Sequence, residues 1–244
     1  MRLFKSVSVL AIAPMALAIL PGCDDEAAAP VVKLTYNGKV VDGLDGAALA
    51  GVELCITSPA GIPCVTTDAN GGYVLAGLPA KTRVTATVEK EGYFPVSAAF
   101  ITRTTDFTID TVLLKTELVK AAFTAADIAF DTTKGALFVR AYDPALGLNS
   151  TVAGIMGEVS PDAGEGPIYN NSSSIPSDAT ETSTSGTWAV VNLDAGTYQV
   201  RSTGTGRTCP GTFHWPGSNG AGWIETPVTA GHVSYVYVDC PVTE

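Results

Sequence analysis

The chain has 244 residues, of which 14 are Lys or Arg and 24 Asp or Glu, for a formal net charge of −10. Such acidity disfavours a nucleic-acid partner, whose phosphates require clustered cations. With 25 glycines, 15 prolines, abundant Val, Thr and Ala and no long charged helical run, the composition points to an all-β class rather than a helical bundle.

Met1 to Lys5 carries two cations, and the apolar run from Ser6 to Leu20 is too short and too poorly flanked for a membrane span, so residues 1–22 read as an export signal. Removing Arg2 and Lys5 from the 14 basic residues leaves 12 against 24 acidic ones, a net charge of −12. The signal ends in Leu20-Pro21-Gly22-Cys23, which resembles the bacterial lipobox. The resemblance implies that Cys23 is acylated and becomes the new N-terminus. Residues 23–30, rich in Asp and Ala, then tether the protein to a bilayer through lipid, on the periplasmic side or the surface of a bacterial cell envelope.

From residue 31 the pattern is alternation. Val32, Leu34 and Tyr36 share one face, and Asn37-Gly38 supplies a turn-compatible pair before Lys39-Val40-Val41. Val52, Leu54 and Ile56 alternate with polar neighbours up to Ser58-Pro59-Ala60-Gly61, after which Ile62, Cys64 and Thr66 resume. If Thr57 pairs with Ile62 in this hairpin, Cys55 faces Cys64, at a separation a disulfide accepts. The run Thr67 to Ala80 reads as turn, strand, turn; Arg83 to Glu89 and Phe107 to Leu114 complete the strands. Asp68-x-Asn70-x-Gly72 has the alternating oxygens of a calcium loop, but the corresponding run Thr182 to Gly186 has no carboxylate, and a turn fixed by Asx side chains and glycines explains both.

The order GKVVD, AGVELCI, TTDANGGYVLAGLPA, TVEKEGYFPV resembles the carboxypeptidase regulatory-like domain, a small transthyretin-like β-sandwich, over residues 34 to 114. That resemblance implies an accessory module for residues 31–115 and no peptidase activity.

Leu118, Ala122, Ala125 and Ala129 recur at near-helical spacing, so residues 116–134 read as a helical linker. Beyond it the first half's signals return. TSTSGTWAVVNLDAG repeats TDANGGYVLAGLPA, with Gly186 for Gly71, Trp188 for Tyr73 and Leu193 for Leu78, and Ala153 to Gly164 echoes Ala50 to Gly61. Residues 135–244 are therefore a second sandwich of similar type. The fold class is all-β: two tandem transthyretin-like (prealbumin-like) β-sandwich domains joined by a short helical linker. Tyr73 and Trp188, at equivalent strand positions, are core. Residues 161–186, rich in Gly, Ser, Thr and Pro, form a long loop of the kind that is mobile or functional.

Beside Cys23 stand four cysteines, an even number that suits an exported chain with one clip per domain, Cys55–Cys64 and Cys209–Cys240. The cysteines lack metal-ligand spacing, and neither His214 nor His232 sits in a metal or nucleophile motif, so no cofactor and no enzymatic activity are expected. The place suited to contact a partner is Phe213 to Trp223, where Phe213, His214, Trp215 and Trp223 are carried on a glycine-rich loop. Capping of the sandwich by the same rings is the competing reading. The expected function is a lipid-anchored, non-enzymatic binding or structural module. The alternatives are a carbohydrate-binding module using the exposed tryptophans, since related sandwiches include carbohydrate-binding-like folds, and an accessory subunit of an envelope enzyme or transport complex. Carbohydrate and envelope protein are the partner classes the loop suits.

Overall fold

Strand β1 runs unbroken from Lys33 to Asp42 in the computed structural model, which describes residues 32–241 other than 148, 205 and 212. The Asn37-Gly38 pair expected to turn the chain lies inside this strand. A Cβ at Gly38 would collide with the Ile109 carbonyl, so the glycine serves a close approach of two backbones.

The first sandwich stacks two sheets. In one, β1 pairs antiparallel with β4 (Gly72–Pro79) and parallel with β7 (Phe107–Thr108) and β8 (Thr111–Leu113). The last strand expected over Phe107 to Leu114 is split because the Asp110 carboxylate accepts from the Lys39 N–H (2.8 Å) where a carbonyl would otherwise serve. The facing sheet carries β2 (Glu53–Ser58), β3 (Val65–Thr66), β5 (Arg83–Glu89) and β6 (Val96–Ile101) in the order β6-β5-β2-β3. Glu53 pairs with Thr66 and Leu54 with Val65, the register that sets Cys55 opposite Cys64, and the two are disulfide-bonded with Cα atoms 4.3 Å apart. Leu34, Tyr36, Val40, Leu54, Leu78 and Val84 are buried between the sheets.

The second sandwich repeats the plan. Its outer sheet contains β10 (Ile155–Ser160), β14 (Gly196–Gly204), β15 (Arg207–Cys209), β16 (Trp215–Pro216) and β17 (Trp223–Val228), ordered β10-β14-β17-β16 with β15 on β14. Its other sheet is built on β9 (Gly135–Tyr142), β13 (Thr187–Leu193) and β18 (Val233–Asp239). The segment read as a long loop adds two strands to that sheet, β11 (Glu165–Asn170) and β12 (Pro176–Ser177), and buries Ile168 and Tyr169. Its composition hid them, because Gly166, Pro167 and the serines carry no alternation. Cys209 and Cys240, both fully buried, form the second disulfide.

The repeat extends to individual hydrogen bonds. The Thr67 hydroxyl donates to the Leu49 carbonyl (2.6 Å) and accepts from Val52 N–H (2.9 Å); the Thr182 hydroxyl donates to the Val152 carbonyl (2.9 Å) and accepts from Ile155 N–H (3.0 Å). Gly71 and Gly186, at φ 73° and 63°, receive Val40 N–H and Ala141 N–H at 2.9 and 2.8 Å. A Cβ on either would strike the Val40 or Ala141 carbonyl, so both copies of the turn need glycine. Tyr73 and Trp188 are both core residues, and Trp188 donates to the Ser202 hydroxyl at 3.0 Å. The larger ring fits because Gly157, under the Trp188 ring, stands where the first half has Leu54.

The linker contains one helix, α1 (Thr116–Ala125). It buries Val119 and Phe123, one position off the expected stripe, and Leu118 is 41% exposed. The two buried side chains cover the outer side of the β9–β13–β18 sheet with Phe94, Phe130 and Phe138. No helix among the described residues is long and apolar enough to cross a membrane.

The sandwiches are joined by more than the linker. β18 pairs in parallel with β9 on one side and, at Val233–Val96 and Ser234–Ser97, with β6 on the other. The Ser97 and Ser234 hydroxyls are 2.8 Å apart in that contact. One nine-stranded sheet, β12-β11-β13-β9-β18-β6-β5-β2-β3, therefore runs through both halves.

Candidate functional site

Cys23 lies outside the described residues. The aromatic loop is described, and its side chains part into two groups.

Phe213 and His214 turn into the seam. The Phe213 carbonyl accepts from Ile101 N–H at 2.8 Å, extending the β6 ladder across to the second half. His214 is buried, with Nε2 2.9 Å from Tyr237 N–H and Nδ1 2.7 Å from the Ala99 carbonyl. A backbone N–H can only donate, so Nε2 is the acceptor and Nδ1 carries the proton given to Ala99. Burial holds the imidazole pKa below its ordinary value, the Ala99 carbonyl and Asp239 opposing. The Arg103 guanidinium packs 3.9 and 4.1 Å from the centroids of Phe107 and Phe213, a cation–π arrangement spanning the halves. These two residues, expected to be displayed, are structural. A sequence shows that aromatics sit on a glycine-rich loop without showing what the loop leans on.

Trp215 and Trp223 point the other way. Trp215 pairs with Glu225, and Trp223 lies two residues before Glu225 on β17, so strand alternation sets all three on the solvent face of the outer sheet. The adjoining strand contributes Gln199 opposite Glu225 and Arg201 opposite Trp223, and β10 adds Glu158 opposite Arg201. Both indoles are half-buried. Arg201 lies 4.9 Å from the Trp223 ring and donates to both Glu158 carboxylate oxygens at 2.8 and 2.6 Å. Arg83, from the first half, lies 5.0 Å from the Trp215 ring and donates to Glu225 at 2.9 Å, while the Trp215 Nε1–H donates to the Phe100 carbonyl at 3.0 Å. Gln199 fixes the intervening turn, accepting from Asn219 N–H at 2.8 Å and donating to Ser218 at 2.5 Å.

The result is a face of two aromatic rings, each with a guanidinium–carboxylate pair beside it. Such a face offers apolar area for stacking and charge-assisted hydrogen bonds at its margins, with no nucleophile–base pair among these residues. No sequence pattern marks Arg83, Arg201 and Gln199. Only the register of β14 and the approach of the first half place them there. Elsewhere, Glu53 lies close to Cys55 and Cys64, but two sulfurs bonded to each other offer no thiolate to a metal.

Residues 35–114 match the family model of the carboxypeptidase regulatory-like domain. No curated protein matches the chain in sequence. Among solved structures, the Bacillus anthracis TIE protein is 12% identical over 86% of this chain with a TM-score of 0.28, and this chain spans 34% of that one. GBS52, the minor pilin of Streptococcus agalactiae, is 14% identical over 86% of this chain and 97% of its own, with a TM-score of 0.29. The shaft pilin SpaA of Lactobacillus rhamnosus GG is 11% identical over 87% of this chain and 100% of its own, with a TM-score of 0.27.

Proposed function

We propose that this protein is a non-enzymatic module of a bacterial cell envelope, anchored by lipid at Cys23, which presents the Trp215–Trp223 face of its second sandwich to an envelope partner. The observation that carries the reading is the placement of two half-exposed indoles on one face of a sheet, each packed against a guanidinium that a carboxylate holds. Aromatic and Arg residues supply much of the energy of protein contacts, and rigid presentation reduces the ordering cost of binding. The matched domain at residues 35–114 supports an accessory, non-catalytic role for the first half. A glycan is the second reading, favoured by the Gln, Glu and Arg groups flanking the rings.

The test is capture from intact envelopes, with the full chain as bait, in parallel with sedimentation on envelope polysaccharides. Trp223→Ala is expected to lower capture at least tenfold while moving the melting temperature little. Unchanged capture with the folded variant would refute the face. Retention on polysaccharide alone would select the glycan reading. Mass spectrometry of the mature N-terminus is expected to show acyl groups on Cys23, and an unmodified terminus elsewhere would remove the anchor.

A further inference from the structure

The first sandwich is not filled. Between its sheets, on the flank closed by β18 and Phe213, lies a cavity of about 140 Å³. Leu54, Leu75, Val88 and Val96 line its inner part. Native interiors are packed to the density of organic crystals, and an engineered apolar cavity of about 150 Å³ stays dry and takes up benzene. Here the space is left by the smallest apolar side chain at two facing positions. Ala86 on β5 pairs directly with Ala98 on β6, on the inner faces of their strands, and both line the cavity.

The polar groups around the space are unevenly satisfied. The Tyr73 hydroxyl donates to the Ile109 carbonyl at 2.6 Å, the Tyr36 hydroxyl accepts from Arg103 N–H at 3.1 Å, and both His214 nitrogens are engaged. At the rim, Asp110 is turned to the Lys39 N–H. Four donors remain: among the described residues, the Arg103 guanidinium and the O–H groups of Tyr36, Tyr235 and Tyr237 have no acceptor. All four line the cavity, Tyr235 and Tyr237 from β18 at the seam and Tyr36 with its hydroxyl beside Arg103. Burial also raises the pKa of Tyr235 and Tyr237, so they remain protonated donors. Arg83 and Arg201 each have a carboxylate; Arg103 has two aromatic rings and no anion within ion-pairing distance among the described residues. Arg103 and Phe107 are half-exposed and Val112 is exposed, so the cavity reaches the surface at this wall.

An apolar chamber of benzene size with unmatched donors and one uncompensated cation on a single side is complementary to a molecule with a compact apolar body and an anionic acceptor group. We propose that the cavity is a binding site for a small carboxylic acid of about the size of benzoate, its ring or short alkyl chain seated between Ala86 and Ala98 and its carboxylate on Arg103. The site is separate from the Trp215–Trp223 face and does not rest on the function proposed for it.

Titration calorimetry and NMR on the full chain, with benzoate, hexanoate and toluene as probes, test this. Benzoate is expected to bind saturably, to raise the melting temperature and to give ring-proton contacts to the Ala86 and Ala98 methyls. Arg103→Gln should weaken benzoate at least tenfold and leave toluene within about twofold. Ala98→Leu should remove binding of all three probes; if that variant does not fold, Ala86→Val narrows the same space from the facing strand. The proposal is overturned if folded wild-type protein shows no saturable benzoate binding at millimolar concentration, if the methyl contacts fall elsewhere, or if Arg103→Gln leaves benzoate affinity unchanged.

Discussion

Thr67 and Thr182 perform the same task in the two halves, which permits one perturbation to be applied twice in a single molecule. Thr→Val keeps the shape of the side chain and puts a methyl group in place of the hydroxyl. In the first half it strands the Val52 N–H and the Leu49 carbonyl, and in the second the Ile155 N–H and the Val152 carbonyl, all at buried threonines. A buried polar group without a partner costs about 1–3 kcal/mol, and two per site, with the carbonyls at the low end, give about 2–4 kcal/mol per substitution. For a domain of this size, about 2–4 °C is lost per kcal/mol, so each variant should melt about 4–16 °C lower. Because β18 joins the sandwiches into one sheet, both variants should lower a single cooperative transition, and the double variant should show the sum of the losses to within about 0.5 kcal/mol. Differential scanning calorimetry reads all three. Two separated transitions, with Thr67→Val moving one and Thr182→Val the other, would refute the claim that the shared sheet couples the halves. A loss under about 1 kcal/mol at both sites would refute the hydrogen-bond account of the repeat.

The two disulfides should reduce in order: Cys64 is exposed, whereas Cys209 and Cys240 are fully buried, so mild phosphine should open Cys55–Cys64 first, as peptide mapping after alkylation would show. In the chain-entropy treatment their loss costs about 2.5–3 and 3.5–4 kcal/mol respectively, a ranking that urea titration of the two Cys→Ser pairs checks. His214 is held neutral by burial, so its folded-state pKa lies below the unfolded one; stability is complete above about pH 6.5 and falls as acid protonates the unfolded chain first, until the folded pKa is reached. His214→Gln should flatten the pH dependence of the melting temperature in that window, and an unaltered slope would contradict the burial account. Gly157→Ala sets a methyl group against the Trp188 ring and should cost about 1–3 kcal/mol, measured by denaturant unfolding, whereas Gly77→Ala, which meets no heavy atom but must hold φ at 87°, tests strain without collision.

Much of the fold is legible because its determinants are local or repeated. The register that opposes Cys55 and Cys64 follows from alternation around one hairpin, and the equivalence of Tyr73 and Trp188 from two copies of one turn-strand-turn pattern. Where the structure departs from the sequence pattern, a local signal has a non-local cause. Asn37-Gly38 looks like a turn because glycine permits one, yet the glycine answers the backbone of Ile109, 71 positions along. The α1 stripe is displaced because Phe123 is drawn to Phe130 and Phe138 rather than to its alanine neighbours.

The seam is the extreme case. β18 meets β6 through two residue pairs, Val233–Val96 and Ser234–Ser97, of residue types that occur in strands of both halves. Beside it, Phe213 to Trp223 has the composition of a contact surface, and it divides between two surfaces. A loop that bridges two sandwiches and a loop that meets a partner require the same materials: rings for area, glycines for approach and a few directed polar groups. What separates them is the destination of the polar atoms. Phe213 and His214 direct theirs into β6 and β18, and Trp215 spends its indole N–H on Phe100 while sharing the solvent face with Trp223. The seam also positions the Trp215–Trp223 face, since Arg83, which lies against the Trp215 ring and pairs with Glu225, belongs to the first half. Loosening the contact at β6 would therefore remove a guanidinium from the face as well as stability from the fold, and the partner contact proposed at Trp215 would depend on both sandwiches being present.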